Sequence, residues 1–309
     1  MTNIQTMQGK TAIITGGTGG IGAATALGLA RLGAAITIVG RDEARGRAAL
    51  AKIKRASGND NITLALADLW SQADVRQFAA EFSAGHDRLD VLINNIGGLY
   101  PERRLTADGI EATFAVNHLN PFLLTHLLLP LLQSSAPSRV INLSSSAHRF
   151  GRIDFANLQA ERSFRGLSTY SNAKLANLTS VYEFARRSAG TGVRFYAADP
   201  GTAWTSMSQG MTAAMMPWYL GPLWPIARRF MRSTSLDAAA SSSIFAATAT
   251  ELTGQSGIYI KPQGKIVRSS NASYDQAAAQ RLWRLSEELT GLAGRTASPE
   301  NAVAELAMA

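Results

Sequence analysis

The sequence predicts an α/β protein built on a single doubly wound parallel sheet with helices on both faces. Short apolar strands alternate with helical segments along most of the chain, as expected for parallel strands joined by helical crossovers. A glycine-rich turn at residues 15–22 joins the first strand to the first helix. Polar clusters follow six strands, and ligands of such sheets bind beyond the carboxyl ends of the strands. This rim is therefore the predicted site.

Short apolar runs rich in β-branched residues identify the strands. They are predicted at 10–15, 35–40, 61–67, 89–93, 139–143, 193–197 and 257–260. Parallel crossovers are almost always right-handed, which leads to a doubly wound sheet. The polar clusters that follow the strands lie at 15–22, 40–42, 68–69, 94–97, 144–146 and 199–201. Six clusters that converge on one rim indicate a ligand site more strongly than any single motif.

Helices are predicted where apolar residues recur at helical spacing between start and stop signals. They are predicted at 20–32, 43–56, 71–82, 109–117, 121–133, 167–189, 236–249 and 274–289. Asp42 and Ser71 are candidate N-caps, and Gly33 and Gly58 follow two helix ends. The last helix is expected to be exposed. Its leucines on one face are Leu282, Leu285 and Leu289.

The composition describes one globular domain over residues 1–309, because 46% hydrophobic and 17% charged residues suffice for a sizeable core. The net charge of +8 comes with scattered arginines and no long basic tract, so no nucleic-acid partner is expected. Cysteine is absent, which excludes disulfides and thiolate catalysis. The four histidines lie far apart in the sequence, so no metal site is expected.

Membrane and export signals are also not predicted. The N-terminus is polar, without the pattern of a signal peptide. The most apolar stretch, 119–132, is too short and too interrupted to span a bilayer. The residues that interrupt it are Asn120, Pro121, His126 and Pro130. We therefore expect a cytoplasmic protein without a transmembrane segment.

The glycine turn at 15–22 is a candidate dinucleotide site. Glycines let the backbone approach a phosphate, and the free N–H groups at a helix start bind a pyrophosphate. The spacing Gly16-x-x-x-Gly20-x-Gly22 is one residue longer than the common dinucleotide fingerprint. A flexible glycine/threonine turn without a ligand is the alternative that this motif alone leaves open.

Tyr170 and Lys174 are the candidate acid–base pair. They lie four residues apart in the predicted helix 167–189 and so share one face. A free phenol with a pKa of about 10 is a poor acid–base group at neutral pH. A neighbouring ammonium stabilises the phenolate and lowers that pKa. Such a pair also arises by chance, so its meaning depends on the rest of the sequence.

The motifs together resemble the short-chain dehydrogenase/reductase family over about residues 10–260. They are the turn 15–22, Asn94-Asn95-x-Gly97, Ser145, Tyr170-x-x-x-Lys174 and Pro200-Gly201. Finer details at 41–42, 116–119, 142–148 and 171–177 resemble its retinol-dehydrogenase-like branch. The resemblance implies a Rossmann fold with a substrate lid at about 202–233. A C-terminal helical extension follows at about 270–309.

The resemblance implies a catalytic set of four residues: Asn117, Ser145, Tyr170 and Lys174. Tyr170 would exchange a proton with the carbonyl or alcohol oxygen. Lys174 would lower the pKa of Tyr170 and bind the nicotinamide ribose. Ser145 would hold the substrate oxygen, and Asn117 would hold a water that relays protons to Lys174.

Two of these assignments have alternatives. Three adjacent serines leave the register open, and we interpret Ser144 and Ser146 as strand-end capping hydroxyls beside a catalytic Ser145. Asn117 has the alternative of a helix-kink residue before Pro121.

The resemblance also implies a nicotinamide dinucleotide site. Its residues are Thr15, Gly16, Gly17, Thr18, Gly20, Ile21, Gly22, Arg41, Asp68, Leu69, Asn95, Gly97, Tyr170, Lys174, Pro200, Gly201, Thr202 and Thr205. NAD enzymes generally have a carboxylate at the end of the second strand, where this chain has Gly40. Arg41 follows, and a guanidinium fits a 2′-phosphate. We therefore predict NADP(H), with NAD(H) as the alternative and Asp42 as a helix cap.

The segment 202–233 contains five of the eight methionines and three of the five tryptophans. Adaptable methionines and large aromatic rings favour a lipophilic substrate under a lid. Packing of the lid onto the core, or a subunit contact, is an equal alternative. Three arginines in it, Arg228, Arg229 and Arg232, could meet an acidic substrate group or an anionic membrane surface.

The predicted function is an NADP(H)-dependent oxidoreductase that interconverts a carbonyl and an alcohol on a lipophilic small molecule. The alternative is a catalytically inactive dinucleotide-binding sensor or scaffold, which the presence of both Tyr170 and Lys174 disfavours. A light-driven protochlorophyllide reductase is disfavoured by the absence of cysteine. The family implies a homodimer or homotetramer, although the C-terminal extension could block one contact.

Overall fold

The structure is a computed structural model that describes residues 5–201, 229 and 234–293. Within them, eight strands form one sheet in the order β3-β2-β1-β4-β5-β6-β7-β8. They are β1 (Thr11–Thr15), β2 (Ala35–Gly40), β3 (Ile62–Leu66), β4 (Val91–Asn94), β5 (Ser138–Leu143), β6 (Val193–Ala198), β7 (Ile258–Lys261) and β8 (Lys265–Ile266). All neighbours pair in parallel except β7 and β8. The predicted doubly wound sheet is confirmed, and only the two-residue strand β8 was missed.

Seven helices of the described residues are used below. They are α1 (Gly20–Arg31), α2 (Glu43–Ser57), α3 (Gln72–Gly85), α4 (Ala112–Ser134), α5 (Gly166–Arg187), α6 (Leu236–Thr248) and α7 (Gln276–Leu289). Two predicted caps are confirmed. The side chain of Asp42 accepts a hydrogen bond from the backbone N–H of Arg45, and that of Ser71 accepts one from Asp74. Such caps satisfy N–H groups that a helix start leaves without partners.

Two apolar layers hold the helices against opposite faces of the sheet. Ile13 belongs to the layer that contains Phe122 of α4. Ile14 belongs to the other layer, with Leu29 of α1 and Phe245 of α6. Successive side chains of a strand point to opposite faces, so neighbouring residues of β1 serve both layers. The sheet is therefore covered on both sides, as predicted.

The two helices predicted at 109–117 and 121–133 are one helix, α4, and this prediction was wrong. The part between them, Ala115–Leu119, is a π-helical turn. By length and composition α4 could span a membrane, yet 72% of its most apolar window is buried inside the protein. The apolar stretch is thus longer than the sequence interruptions suggested, and it packs in the core.

The C-terminal helix α7 is packed against the domain, contrary to the prediction of an exposed helix. Trp283 is buried and its ring lies edge-on to Phe122 and Phe184, with centroid distances of 4.9 and 4.6 Å. Ser286 lies 2.8 Å from a ring nitrogen of His118 in α4. The buried face of α7 thus includes a tryptophan and a serine that the leucine pattern left out. The predicted lid at 202–233 lies outside the described residues apart from Arg229, as does the segment 294–309 of the predicted extension.

Candidate active site

The predicted polar clusters meet at one edge of the sheet. The strands β1 to β6 are parallel, so their carboxyl ends share this edge. The strand order reverses between β1 and β4, where the connections leave to opposite sides. A crevice forms at such a point and is the usual ligand site of this architecture. The glycine turn after β1 and the cluster after β4 flank it.

The glycine turn has the shape of an anion cradle. Gly16 and Gly20 have φ angles of +63° and +53°, a region that other residues rarely adopt. A methyl group on Gly22 would lie 2.3 Å from the carbonyl oxygen of Gly16. Gly19, the N-cap of α1, contributes no side-chain hydrogen bond to the first turn. The N–H groups of this turn therefore fit the pyrophosphate of a dinucleotide.

Thr15 and Asn95 brace this turn. The buried Thr15 hydroxyl accepts hydrogen bonds from the backbone N–H groups of Asn95 and Ile96, at 2.9 and 3.0 Å. The Asn95 amide donates to the carbonyls of Thr15 and Gly16, at 2.8 and 3.3 Å. These polar groups are thus engaged within the turn. Their place in the predicted cofactor site is to hold the backbone that faces the ligand.

Replacing Gly22 by alanine tests this cradle. The methyl group would press on the Gly16 carbonyl, which belongs to the same turn. Overpacking of this kind costs about 1–3 kcal/mol, so we expect dinucleotide binding to weaken by about 5- to 150-fold. NADPH fluorescence titration measures it. Gly85→Ala is the control, because Gly85, like Gly22, lies in a helix without a positive φ, but a methyl group there would meet open space. Unchanged affinity of Gly22→Ala would contradict the cradle.

The end of β2 has no room for a side chain at position 40. A Cβ on Gly40 would lie 2.5 Å from the methyl carbon of Thr18. A carboxylate side chain at this position would therefore require Thr18 to move. Arg41 is exposed, lies 3.7 Å from Asp68 and stacks over the ring of Trp70 at 5.5 Å. Its guanidinium is thus held at the rim, beyond the glycine turn.

A second cation at this end, Arg45, was missed by the sequence analysis. Its Nη2 atom lies 3.7 Å from where a Cβ of Gly19 would stand, beside the glycine turn. The sequence contained a sign of it, because Arg45 follows Arg41 by four residues and lies in the first turn of α2. Asp42 accepts from the Arg45 backbone N–H at 2.9 Å. The carboxylate of Asp42 is thereby engaged as a cap, as predicted.

Leu69 does not present its side chain to the rim. It is buried in the apolar layer of α3 and α4, and its carbonyl accepts a hydrogen bond from Asn120 at 2.7 Å. The side chain that lies beside Arg41 is instead that of Trp70, which also packs edge-on against Tyr100. Leu69, predicted as a cofactor-binding residue, thus has its side chain in the core, and Trp70 is the side chain at this part of the rim that the sequence analysis missed.

Tyr170 and Lys174 are both buried and share one face of α5, as their spacing predicted. Lys174 Nζ lies 5.7 Å from the centroid of the Tyr170 ring and donates to the carbonyl of Leu143, at the end of β5, at 2.8 Å. Asn117 and Lys174 meet at Gly97. A methyl group on Gly97 would lie 2.8 Å from Asn117 Oδ1 and 3.4 Å from Lys174 Nζ. The segment that follows β4 therefore converges here with residues of α4 and α5.

The π-helical turn of α4 follows from Pro121, which has no N–H. In a regular helix that group would donate to the carbonyl of Asn117, four residues earlier. The carbonyl accepts instead from the side chain of Asn177, at 2.7 Å. The Asn117 amide donates to the carbonyls of Gly98 and Thr113, at 2.7 and 2.8 Å. Asn117 is therefore held at both its backbone and its side chain, and Asn177 is a supporting residue that the sequence analysis missed.

Of the three adjacent serines, Ser145 faces Tyr170 closely enough to act on the phenol pKa. Its hydroxyl also accepts from the backbone N–H of Ala147, at the start of a 3₁₀ turn. Ser144 is buried, and its hydroxyl has no hydrogen-bond partner among the residues that the structure describes. Ser146 donates to Asp199. The predicted capping roles of Ser144 and Ser146 were wrong, since the capping hydroxyl is that of Ser145.

The expected lowering of the Tyr170 pKa is not found. Burial raises the pKa of Tyr170 to about 12, the nearby Ser145 hydroxyl lowers it and the charge of Asp199 raises it. Burial lowers the pKa of Lys174 to about 8, while Asp199 acts in the opposite direction. The phenolate loses hydration in the buried site, and the Lys174 ammonium is directed at the Leu143 carbonyl. At neutral pH the phenol therefore carries its proton.

The segment after β6 begins the last part of the predicted site. Pro200 is buried, and Gly201 has a φ of +69°. The N–H of Gly201 donates to Asp199 at 2.9 Å. Thr202 and Thr205, predicted to contact the cofactor, lie outside the described residues.

Comparisons with known proteins agree with this geometry. A profile of the short chain dehydrogenase family matches residues 10–215, two thirds of the chain. The chain belongs to the short-chain dehydrogenase family. It is therefore an oxidoreductase of a family that binds a nicotinamide dinucleotide. Its glycine turn and its Tyr170–Lys174 pair are the features by which the sequence resembled that family.

Relatives of this short-chain dehydrogenase include retinol dehydrogenases. Retinol dehydrogenase 12 of Mus musculus is 39% identical, with 94% of this chain and 89% of that protein covered. Retinol dehydrogenase 14 of Homo sapiens is 37% identical, with 93% and 88% covered. Both support the branch that the finer sequence details resembled.

Solved structures extend the comparison. A crystal structure of a protein from Mycobacterium paratuberculosis is 31% identical with a TM-score of 0.74, covering 94% of this chain and 96% of that one. An NADP active-site complex of RhlG from Pseudomonas aeruginosa is 26% identical with a TM-score of 0.64, and the coverage is 84% and 96%. The fold and family are thus shared over most of the chain.

Proposed function

We propose that this protein interconverts a carbonyl and an alcohol on a lipophilic small molecule with NADP(H) as the cofactor. One observation carries the proposal: Tyr170, Lys174, Ser145 and Asn117 converge at the rim, beside a glycine turn that fits a pyrophosphate. A binding-only protein has no need of a buried phenol and ammonium on one helix face. Family membership supports the same reaction class.

The proton chemistry is assigned to Tyr170. In the reduction direction the phenol donates its proton to the carbonyl oxygen, and the raised pKa of Tyr170 ensures that this proton is present. The Ser145 hydroxyl, near the phenol, holds the same oxygen. Lys174 supplies positive charge beside the phenolate that forms. Asn117, which lies with Lys174 beside Gly97, is the fourth residue of the catalytic set. The cofactor, when bound, supplies or accepts the hydride.

The preference for NADP(H) is supported by the charge at the end of β2. Arg41 and Arg45 flank the side of the glycine turn where a 2′-phosphate would lie, and a carboxylate side chain at position 40 would require Thr18 to move. Guanidinium groups bind phosphates with charge-assisted, often bidentate hydrogen bonds. The NADP complex of the RhlG relative is consistent with this preference.

The substrate class is inferred from relatives and from sequence. Several relatives are named retinol dehydrogenases, and the segment 202–233 is rich in methionine and tryptophan. We therefore propose a long apolar aldehyde or primary alcohol of retinoid type.

The location is proposed to be cytoplasmic. If a homodimer or homotetramer forms, it has to use a surface other than the faces of α4 and α5 that α7 covers.

A reduction assay tests the proposed function. The purified protein is mixed with retinaldehyde, decanal or a steroid ketone, and the consumption of NADPH and of NADH is followed by absorbance. We expect NADPH-dependent turnover that is fastest with a long apolar aldehyde. If NADPH binds by fluorescence titration but no carbonyl is reduced, the protein is a dinucleotide-binding sensor and the proposal is wrong.

A further inference from the structure

Asp199 is a buried carboxylate beside the candidate active site. The proposed proton chemistry does not use it. It follows β6 directly and is fully buried. Its oxygens accept hydrogen bonds from the hydroxyls of Ser146 and Tyr259, both at 2.5 Å, and from the N–H of Gly201 at 2.9 Å. An ionised carboxylate can only accept hydrogen bonds, so three donors around it match an anion.

The backbone brings this anion close to the Lys174 ammonium. Lys174 Nζ is bonded to the carbonyl of Leu143, at the end of β5. Leu143 is paired with Ala198 in the parallel ladder, and Asp199 is the next residue. Paired strands lie about 4.8 Å apart, so the Leu143 carbonyl that binds Lys174 and the backbone of Asp199 lie at adjacent strand ends, and the negative charge of Asp199 acts on the Lys174 ammonium across this buried edge. An ammonium taken out of water gains from a negative charge at this range.

We propose that Asp199 is a positioning residue of the active site: its buried negative charge keeps Lys174 in the ammonium form, and its oxygens tie together the ends of β5, β6 and β7. The inference rests on the proposed function, in which Lys174 acts as a cation. It assigns a role to a residue that touches neither the phenol nor the glycine turn in any hydrogen bond of the described structure.

Other titratable groups also face Asp199, and they have to be weighed. His148 donates from Nδ1 to the carbonyl of Ser145 and accepts at Nε2 from the N–H of Ser270, the pattern of a neutral imidazole. Burial lowers the pKa of His148. Two cations are close to this cluster, the exposed Arg149 and the half-buried Lys261, and water screens both.

The effect of the charge has one sign. A negative charge favours the protonated form of every neighbouring group, so its removal lowers the pKa of Lys174 and that of Tyr170 together. Both groups then lose their protons at lower pH. Reduction needs the protonated phenol and the ammonium. As the pH is raised, the activity of a variant without this charge should therefore begin to fall at a lower pH than that of the wild type. Simple structural damage would reduce the rate without shifting this alkaline limb of the pH profile.

The decisive experiment measures the Lys174 pKa in Asp199→Asn. Lysine is labelled with ¹³C, and the Lys174 signal, one of six, is assigned by its loss in Lys174→Arg. We expect the Lys174 pKa to fall by about one unit or more in Asp199→Asn. Tyr259→Phe is the control, since it removes one donor to the carboxylate but leaves the charge, and it should not move the Lys174 pKa. An unchanged value in Asp199→Asn, or an equal fall in Tyr259→Phe, would overturn the proposal.

Two further measurements complete the test. The alkaline limb of the NADPH-dependent rate should move to lower pH by about one unit in Asp199→Asn and stay in place in Tyr259→Phe. If Asp199→Asn does not fold, Asp199→Ser is measured instead, because a hydroxyl is neutral and still accepts from the N–H of Gly201. If the wild type reduces no carbonyl, the proposed function fails, while the NMR titration still decides the role of Asp199.

Discussion

Replacing Tyr170 by phenylalanine is expected to lower kcat for carbonyl reduction by about 10³- to 10⁴-fold, the upper range for a positioned acid–base group. The variant removes only the hydroxyl that would donate the proton. The ring remains in its buried position beside Lys174, so the fold and the glycine turn should persist. NADPH affinity, measured by fluorescence titration, is expected to stay within about threefold of the wild type, a difference below 1 kcal/mol. Single-turnover kinetics then separate chemistry from binding.

Tyr182→Phe is the matched control. Tyr182 lies on the same helix and is also buried, but its hydroxyl is bonded to Ser269 at 2.7 Å, away from the rim. Loss of this hydroxyl should reduce thermal stability and leave kcat nearly unchanged. Two results would contradict the role of Tyr170. One is a Tyr170→Phe variant that retains most of its turnover, and the other is an equal loss of activity in Tyr182→Phe.

The parts of the fold that depend on near neighbours could be predicted from sequence. Asp42 caps the backbone N–H of Arg45, only three residues later, and the glycine turn depends on its own backbone. The rim at the carboxyl ends of the strands could also be predicted from the sequence. Once every strand from β1 to β6 is parallel, the carboxyl ends lie at one edge whatever the strand order. Strand ends were therefore a reliable guide to which polar clusters lie at one edge of the sheet.

The parts that depend on distant partners could not be predicted. The π-helical turn at Asn117 is satisfied by Asn177, 60 residues later, so Pro121 alone suggested two helices. Ser286 of α7 finds His118 across 168 residues, and a leucine pattern carries no sign of that contact. Local pattern identifies an amphipathic helix, but the surface that covers it belongs to the tertiary fold.

The electrostatics of the site were the least predictable part. Sequence spacing correctly put Tyr170 and Lys174 on one helix face, and from it we inferred that the ammonium lowers the phenol pKa. The structure instead buries both groups, and burial raises the pKa of Tyr170 and lowers that of Lys174. Desolvation depends on everything that buries the two groups, and the charge of Asp199, which follows β6, also acts on both pKa values. A spacing motif can therefore name the reacting groups without giving their protonation states.

The arginines after β2 should decide the choice of cofactor. Arg41→Ala and Arg45→Ala are each expected to weaken NADPH binding by about 10- to 150-fold, because a hydrogen bond to a charged group contributes about 1.5–3 kcal/mol. NADH lacks the 2′-phosphate, so its affinity should hardly change. Dissociation constants of both cofactors, measured by fluorescence titration at one fixed ionic strength, give the ratio directly.

Arg47→Ala is the control that separates contact from net charge. Arg47 lies on α2, as Arg45 does, and its substitution removes one positive charge, as the other two substitutions do. Its guanidinium, however, is bonded to Glu43 at 2.6 Å. If long-range attraction alone drew NADPH to the protein, all three variants would weaken its binding alike. If Arg41 and Arg45 contact the 2′-phosphate, only those two change the NADPH-to-NADH ratio. An unchanged ratio in both would show that neither arginine reads the phosphate, and the NADP(H) preference would then have no support at the end of β2.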